Sequence, residues 1–191
     1  NHYQKPYTLR EISGRQIVII GQAFPYTPIA NPARLVPNLT FGIREQELQT
    51  TLDKVKEKHK PDLVVVLSHN GVDVDKKLAS RVTGIDVILG GHTHDAVPNI
   101  IEVKNNSGVT HVANSGCNGK FISVMDIKFS GKSYTYKYNL IPILSTQITP
   151  NKDMERYINK ITRPYKAELS ETVGYASEAL YRRSNFNGTF D

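Results

Sequence analysis

Cysteine is nearly missing from this chain. Cys117 stands alone among 191 residues, which excludes an internal disulfide and a zinc site built on thiolates. No stretch approaches the roughly 18 consecutive apolar residues of a membrane span, and no basic-then-apolar leader opens the sequence; neither membrane insertion nor a membrane partner is expected. Lys and Arg outnumber Asp and Glu by 24 to 18, giving a net charge of +6 and a pI of about 9.3. These cations are dispersed, however, and aromatics do not interleave with them, so a nucleic-acid groove is not expected. The charge favours an anionic substrate or an acidic partner. Also lacking is any Asp-x-His or Gly-Asn-His-Asp/Glu block, the kind of carboxylate-bearing motif with which a two-metal hydrolase bridges its cations. Asn1-His2 does not continue as the end of such a motif. The length suffices for one domain with a core of its own.

What is present reads first as alternating strands and helices. RQIVIIG (15–21) is a short buried strand. The loop after it carries Pro25, Pro28, Pro32 and Pro37, which make it stiff and irregular. A helix follows from about Phe41–Arg44 to Lys58, with Leu48, Leu52 and Val55 at helical spacing. A strand over 62–67, a helix over 73–81 and a strand over 85–89 complete a β-α-β-α-β rhythm, which implies parallel strands with right-handed crossovers. Beyond residue 94 the pattern changes to strands over 100–103, 109–113, 121–129 and 133–140 joined by short turns, expected as an antiparallel meander. A long helix over 151–169 is expected to be interrupted near Pro164.

The chemistry concentrates at strand tips. Gly90-Gly91-His92-Thr93-His94-Asp95 follows one apolar run, and Ser68-His69-Asn70-Gly71 follows another. The C-terminal ends of parallel strands are where α/β proteins build sites. In extended backbone His92 and His94 would point the same way, toward one metal or two adjacent ones. The two glycines would let the chain turn sharply beside a ligand. A lone histidine after a strand is ordinarily a surface or core residue; three on two neighbouring tips make a candidate metal site. His2, His59 and His111 have no such setting. Asp95 would either fix the tautomer of a ligating imidazole or close its loop as an Asx turn. Asn70 either faces the site or ends its strand. The Asn-Ser-Gly-Cys-Asn-Gly run over 114–119 reads as a turn, with Cys117 a small packed side chain.

On Ser68-His69-Asn70-Gly71 and Gly91-His92-Thr93-His94 the chain resembles the last two metal-ligand blocks of the calcineurin-like metallophosphoesterases of the 5'-nucleotidase type. The stretches GQAFPYTPIANP (21–32), GGHTHDAVP (90–98) and LYRRSNFNGTFD (180–191) are more specifically similar to the SoxB thiosulfohydrolases within that family. This resemblance implies an α/β fold, the second half of a four-layer αββα sandwich, with residues 1–170 in the metallophosphoesterase domain and 171–191 forming a linker and the start of a C-terminal domain. It implies two divalent ions, manganese by expectation with zinc possible by residue type, His69 and His92 on one ion and His94 on the other. The catalytic residues proper would lie upstream of residue 1. Arg182 and Arg183 would meet the anionic substrate or make an interdomain contact. The reaction implied is release of sulfate from a cysteine S-thiosulfonate on the sulfur-carrier protein SoxYZ, in the periplasm. A 5'-nucleotidase or phosphodiesterase using the same metals on phosphate esters is the alternative within the hydrolases, and a non-catalytic docking module is the alternative outside them.

Overall fold

The computed structural model describes residues 5–178, in two compact units, Asn1–Leu144 and Ser145–Asp191. The larger unit is built on a six-stranded sheet in the order β1-β2-β3-β4-β6-β5. Strands β2 (Arg15–Gln22), β3 (Leu63–Ser68) and β4 (Val87–Gly90) lie parallel, as their alternation with helices requires. Between β2 and β3 come a four-residue helix α1 (Thr27–Ala30), started by a proline, and the long α2 (Glu45–His59); α3 (Val72–Arg81) links β3 to β4. Leu48, Leu52 and Val55 are all buried. They join Val18, Ile20, Val64, Val66, Leu78, Ile88 and Val112 in one apolar cluster between the helices and a face of the sheet. Each such side chain stabilises the fold by about 1.5–3 kcal/mol.

Two strands depart from expectation. An edge strand β1 (Tyr7–Ile12) pairs antiparallel with β2 through a turn at Ser13 and Gly14, both at positive φ, the geometry of a twisted two-residue hairpin. Only Tyr7 of this strand packs on the core, so it carries no apolar pattern to read. The second departure corrects the antiparallel meander: β6 (Gly108–Asn114) is a fourth parallel strand beside β4, with β5 (Ile101–Asn105) antiparallel on its outer edge. Polar residues disguised it. Thr110, His111 and Asn114 are buried, and Thr110 donates to the Ile85 carbonyl at 2.8 Å.

A separate two-stranded sheet, β7 (Phe121–Ser130) with β8 (Ser133–Pro142), lies against the second face of the main sheet, its Tyr138 hydroxyl donating to the Val97 carbonyl at 3.1 Å. On that second face Leu67 and Leu89, neighbours in the β3–β4 register, remain 49% and 40% exposed.

In the smaller unit, α4 (Lys152–Thr162) is capped by Asn151, whose Oδ1 accepts from the Asp153 and Met154 amides. It gives way at a 3₁₀ turn over Arg163–Tyr165 and resumes as α5 (Lys166–Leu169), the interruption that Pro164 demands. Among the described residues no helix is long and apolar enough to cross a membrane.

Candidate metal and active site

His69 and His92 meet at the C-terminal ends of β3 and β4. Their ring centroids are 5.1 Å apart with planes at 66°, close enough for both imidazoles to address one cation. The β3 tip is fixed to its neighbour by the His69 amide, which donates to the Gln22 carbonyl at 3.0 Å. His94 is exposed, near enough to His92 to influence its charge. Burial, followed by the proximity of His69 and then of His94, holds His92 below the usual imidazole pKa, so the neutral, ligand-competent form is favoured.

The loop geometry corrects the extended reading of His-x-His. Residues 92 and 94 both have left-handed backbone, φ 76° and 60°, so the two rings are aimed by a turn and not by the alternation of a strand. The glycines before them serve space instead of positive φ. A Cβ at Gly91 would come within 3.4 Å of His69 Nδ1, and one at Gly90 within 2.7 Å of Asp75 Oδ2. Gly71, at φ 98°, leaves room for the Thr93 methyl, which a Cβ would meet at 2.7 Å. Thr93 then ties the loops together: its Oγ1 accepts from the Val72 amide at 3.2 Å and donates to Asp95 Oδ2 at 2.5 Å. Asp95 is thus occupied within its own loop, and its carbonyl accepts from Gly116 at 2.7 Å.

Asn70 is 2% exposed and directed inward, with Nδ2 donating to Asp75 and Oδ1 lacking a partner. The run after β6 is a turn, with Gly116, Asn118 and Gly119 at positive φ and Cys117 half-buried. Arg182 and Arg183 lie outside the described residues. Of the histidines given no role, His59 bonds Tyr7 at 3.2 Å, and His111 is buried among Asp86, Tyr134 and Tyr136; His2 lies outside the described residues.

Two neighbours of the site were not foreseen. Phe24 lies over His92, centroids 3.9 Å apart and planes at 30°, and edge-on to His69 at 6.2 Å. Its position in a proline-rich loop gave no spacing to read. Asp75 is wholly buried beneath the two histidine loops, although a carboxylate in the first turn of a helix ordinarily reads as a solvated charge on the helix dipole.

The donors fit one side of a divalent-metal site. His69 and His92 converge with His94 beside them, which suits imidazole ligation, but among the described residues no group of three or more histidine, cysteine or carboxylate side chains is arranged to hold a metal ion alone. The remaining ligands of any such centre must come from elsewhere.

No protein-family model matches the chain. Over 92% of its length it is 30% identical to the trifunctional nucleotide phosphoesterase YfkN of Bacillus subtilis, covering 12% of that protein. Among solved structures it superposes on the Thermus thermophilus sulfate thiohydrolase SoxB with a TM-score of 0.76 and 28% identity, over 85% of this chain and 29% of that one. It superposes on a 5'-nucleotidase precursor, also from Thermus thermophilus, with a TM-score of 0.77 and 25% identity, over 88% and 36%. The chain therefore has the α/β fold of the calcineurin-like phosphoesterases and 5'-nucleotidases, as its sequence led one to expect. Its relatives and structural neighbours include nucleotide phosphoesterases, 5'-nucleotidases and SoxB alike. The chain spans about a third or less of the length of each of the three proteins compared.

Proposed function

We propose that this chain supplies the histidine side of the active site of a metal-dependent hydrolase, and that the hydrolase is a thiosulfohydrolase releasing sulfate from a cysteine S-thiosulfonate carried by SoxYZ in the periplasm. The observation that carries the hydrolase reading is the meeting of His69 and His92, 5.1 Å apart, at the tips of adjacent parallel strands. The thiosulfohydrolase reading leans on the SoxB-like stretches of sequence and on the structural likeness to SoxB. The likeness to a 5'-nucleotidase is of the same degree, so phosphate-ester hydrolysis stands as the second reading. Residues 1–170 would form half of the catalytic sandwich, with the apolar second face around Leu67 and Leu89 covered by the other half, and 171–191 would lead into a further domain.

In this reading His69 and His92 would hold one divalent ion, manganese or zinc, and His94 a second. Such a pair would supply Lewis-acid activation of water and positive charge against the developing oxyanion. The chain's own residues hold the imidazoles in place: burial and the proximity of His69 and His94 lower the pKa of His92 and favour its neutral form, and Phe24 fixes its ring plane while excluding water from one face.

The test uses the full-length protein with matched metal loading, offered the carrier-bound thiosulfonate, a nucleoside monophosphate and a generic phosphate ester. Sulfate release from the carrier conjugate is expected to dominate. Rapid cleavage of the nucleotide with no action on the conjugate would replace the thiosulfohydrolase by the nucleotidase.

A further inference from the structure

Beneath the histidine loops lies a buried polar cluster whose centre is Asp75, 0% exposed. A carboxylate taken out of water costs several kcal/mol unless it is paired, and no cation forms an ion pair with Asp75 among the described residues. Desolvation accordingly pushes its pKa above the usual carboxylate value, against the opposing pull of Ser68, Asn70 and His69. An apolar side chain in the first turn of α3 would fill the same space at no such cost, so the carboxylate must be read by the bonds it makes.

Those bonds go to the two residues that flank His69. Asp75 Oδ1 accepts from Ser68 Oγ at 2.5 Å and from Asn70 Nδ2 at 3.2 Å. Ser68 Oγ in turn accepts from the Asn70 amide at 3.1 Å, closing a small ring of bonds around the His69 backbone. The residue is anchored at the start of α3, where its backbone amide donates to the Gly71 carbonyl at 2.9 Å. Its other carboxylate oxygen, Oδ2, faces Gly90, two residues before His92, at a spot where a Cβ would stand only 2.7 Å away. One buried side chain therefore touches both segments that carry the histidines.

We infer that Asp75 is a positioning residue: it clamps Ser68 and Asn70 so that His69 is held against His92, and through Gly90 it sets the distance between the β3 and β4 tips. Substituents that orient a metal's ligands typically change affinity about 10–100-fold. This inference rests on the reading of His69 and His92 as ligands, and its test separates the two.

Asp75→Ala and Asp75→Asn are made in the full-length protein, and each is titrated with manganese at a temperature where circular dichroism shows it folded. Asparagine keeps an oxygen where Ser68 and Asn70 donate; alanine does not. Asp75→Ala should bind manganese about 10–100-fold more weakly than wild type, and Asp75→Asn should recover most of that loss. In the metal-free proteins, the through-space NMR signal between the His69 and His92 rings should be present in wild type and Asp75→Asn and lost in Asp75→Ala. Equal losses of affinity in both variants, or a ring-to-ring signal that survives in Asp75→Ala, would overturn the inference. A wild type that binds no manganese would instead overturn the metal reading, and the ring-to-ring signal would then decide the role of Asp75 by itself. Should Asp75→Ala fail to fold, Ser68→Ala, which removes one of the two tethers, takes its place: a several-fold loss of affinity with a weakened ring signal is expected, and wild-type values for both would refute the clamp.

Discussion

The two ends of the parallel sheet each bury a carboxylate near a histidine, and they differ in what those groups are left free to do. At the N-terminal end of β4, Asp86 accepts from the Val64 amide at 2.7 Å and from Tyr134 at 3.5 Å. His111 is enclosed beside it, its Nδ1 within 3.2 Å of the Asp86 carbonyl and 3.3 Å of the Tyr134 hydroxyl. Tyr136 stacks edge-on at 4.4 Å and donates to Glu102, and the hydrogen bond to Glu102 raises the Tyr136 hydroxyl pKa to about 12. These groups satisfy one another and fasten β8 to the sheet. At the C-terminal end the histidines are exposed or half-exposed, His92 and His94 on left-handed backbone, and Asn70 Oδ1, Asp75 Oδ2 and both side-chain atoms of Asn114 lack partners. A histidine whose nitrogens are already engaged is a structural group; one held by its neighbours with its nitrogens free is available for a ligand.

The strongest way to break this contrast is to remove one polar side chain from each end. His92→Ala or His94→Ala in the full-length protein should reduce hydrolysis by about 1,000-fold or more, about 4 kcal/mol of transition-state stabilisation, with the unfolding midpoint nearly unchanged; retained turnover on every substrate would end the metal reading. At the other end the balance reverses. Asp86→Ala should destabilise the protein by about 2–4 kcal/mol in chemical denaturation, since the Val64 amide loses its acceptor, while turnover per folded molecule stays within about twofold of wild type, a change of about 0.4 kcal/mol. Gly90→Ala, which drives a methyl toward Asp75 and the Ala113 carbonyl, should cost about 1–3 kcal/mol, whereas Gly91→Ala at 3.4 Å from His69 should cost less than about 1 kcal/mol; equal effects would mean that the backbone yields where it is drawn as tight.

The smallest effect is one of pH. Burial, partly offset by the Val64 amide, Lys56, Tyr134 and His111, raises the pKa of Asp86 in the folded protein. Between the unfolded value near 3.9 and that raised value the folded state binds more protons than the unfolded one, so this group's contribution to stability falls as pH rises. Asp86→Asn lacks the titration. Its stability relative to wild type should therefore improve across that window and then level off, as followed by denaturation from about pH 3 to 7. A flat difference would place Asp86 in better contact with water than its surroundings indicate.

Much of this was legible beforehand because it depends on short-range pattern. Leu48, Leu52 and Val55 at helical spacing, the apolar runs of β2, β3 and β4, and the interruption at Pro164 follow from periodicity and from the chemistry of proline. So does the placement of His69 and His92 at strand tips, which requires only that parallel strands carry their sites at one end. The edge strand β1 escaped because its side chains are mostly solvated; β6 was expected as a strand, but its parallel pairing with β4 escaped because that depends on partners far away in sequence. Side-chain aim also lay beyond the sequence. Strand alternation predicted how His92 and His94 would point, but positive φ at both residues overrode it.

By itself, then, the sequence determined that this is an alternating α/β chain with three imidazoles gathered at the ends of two neighbouring strands, since hydrophobic period and residue order are local properties that each segment carries with it. Only the tertiary structure decided that Asp75 is a buried clamp and not a solvated helix-start charge, that Phe24 covers His92, and that His111 is spoken for while His69 is free. Those outcomes depend on which distant groups are brought within a few ångströms and on which of them water can still reach.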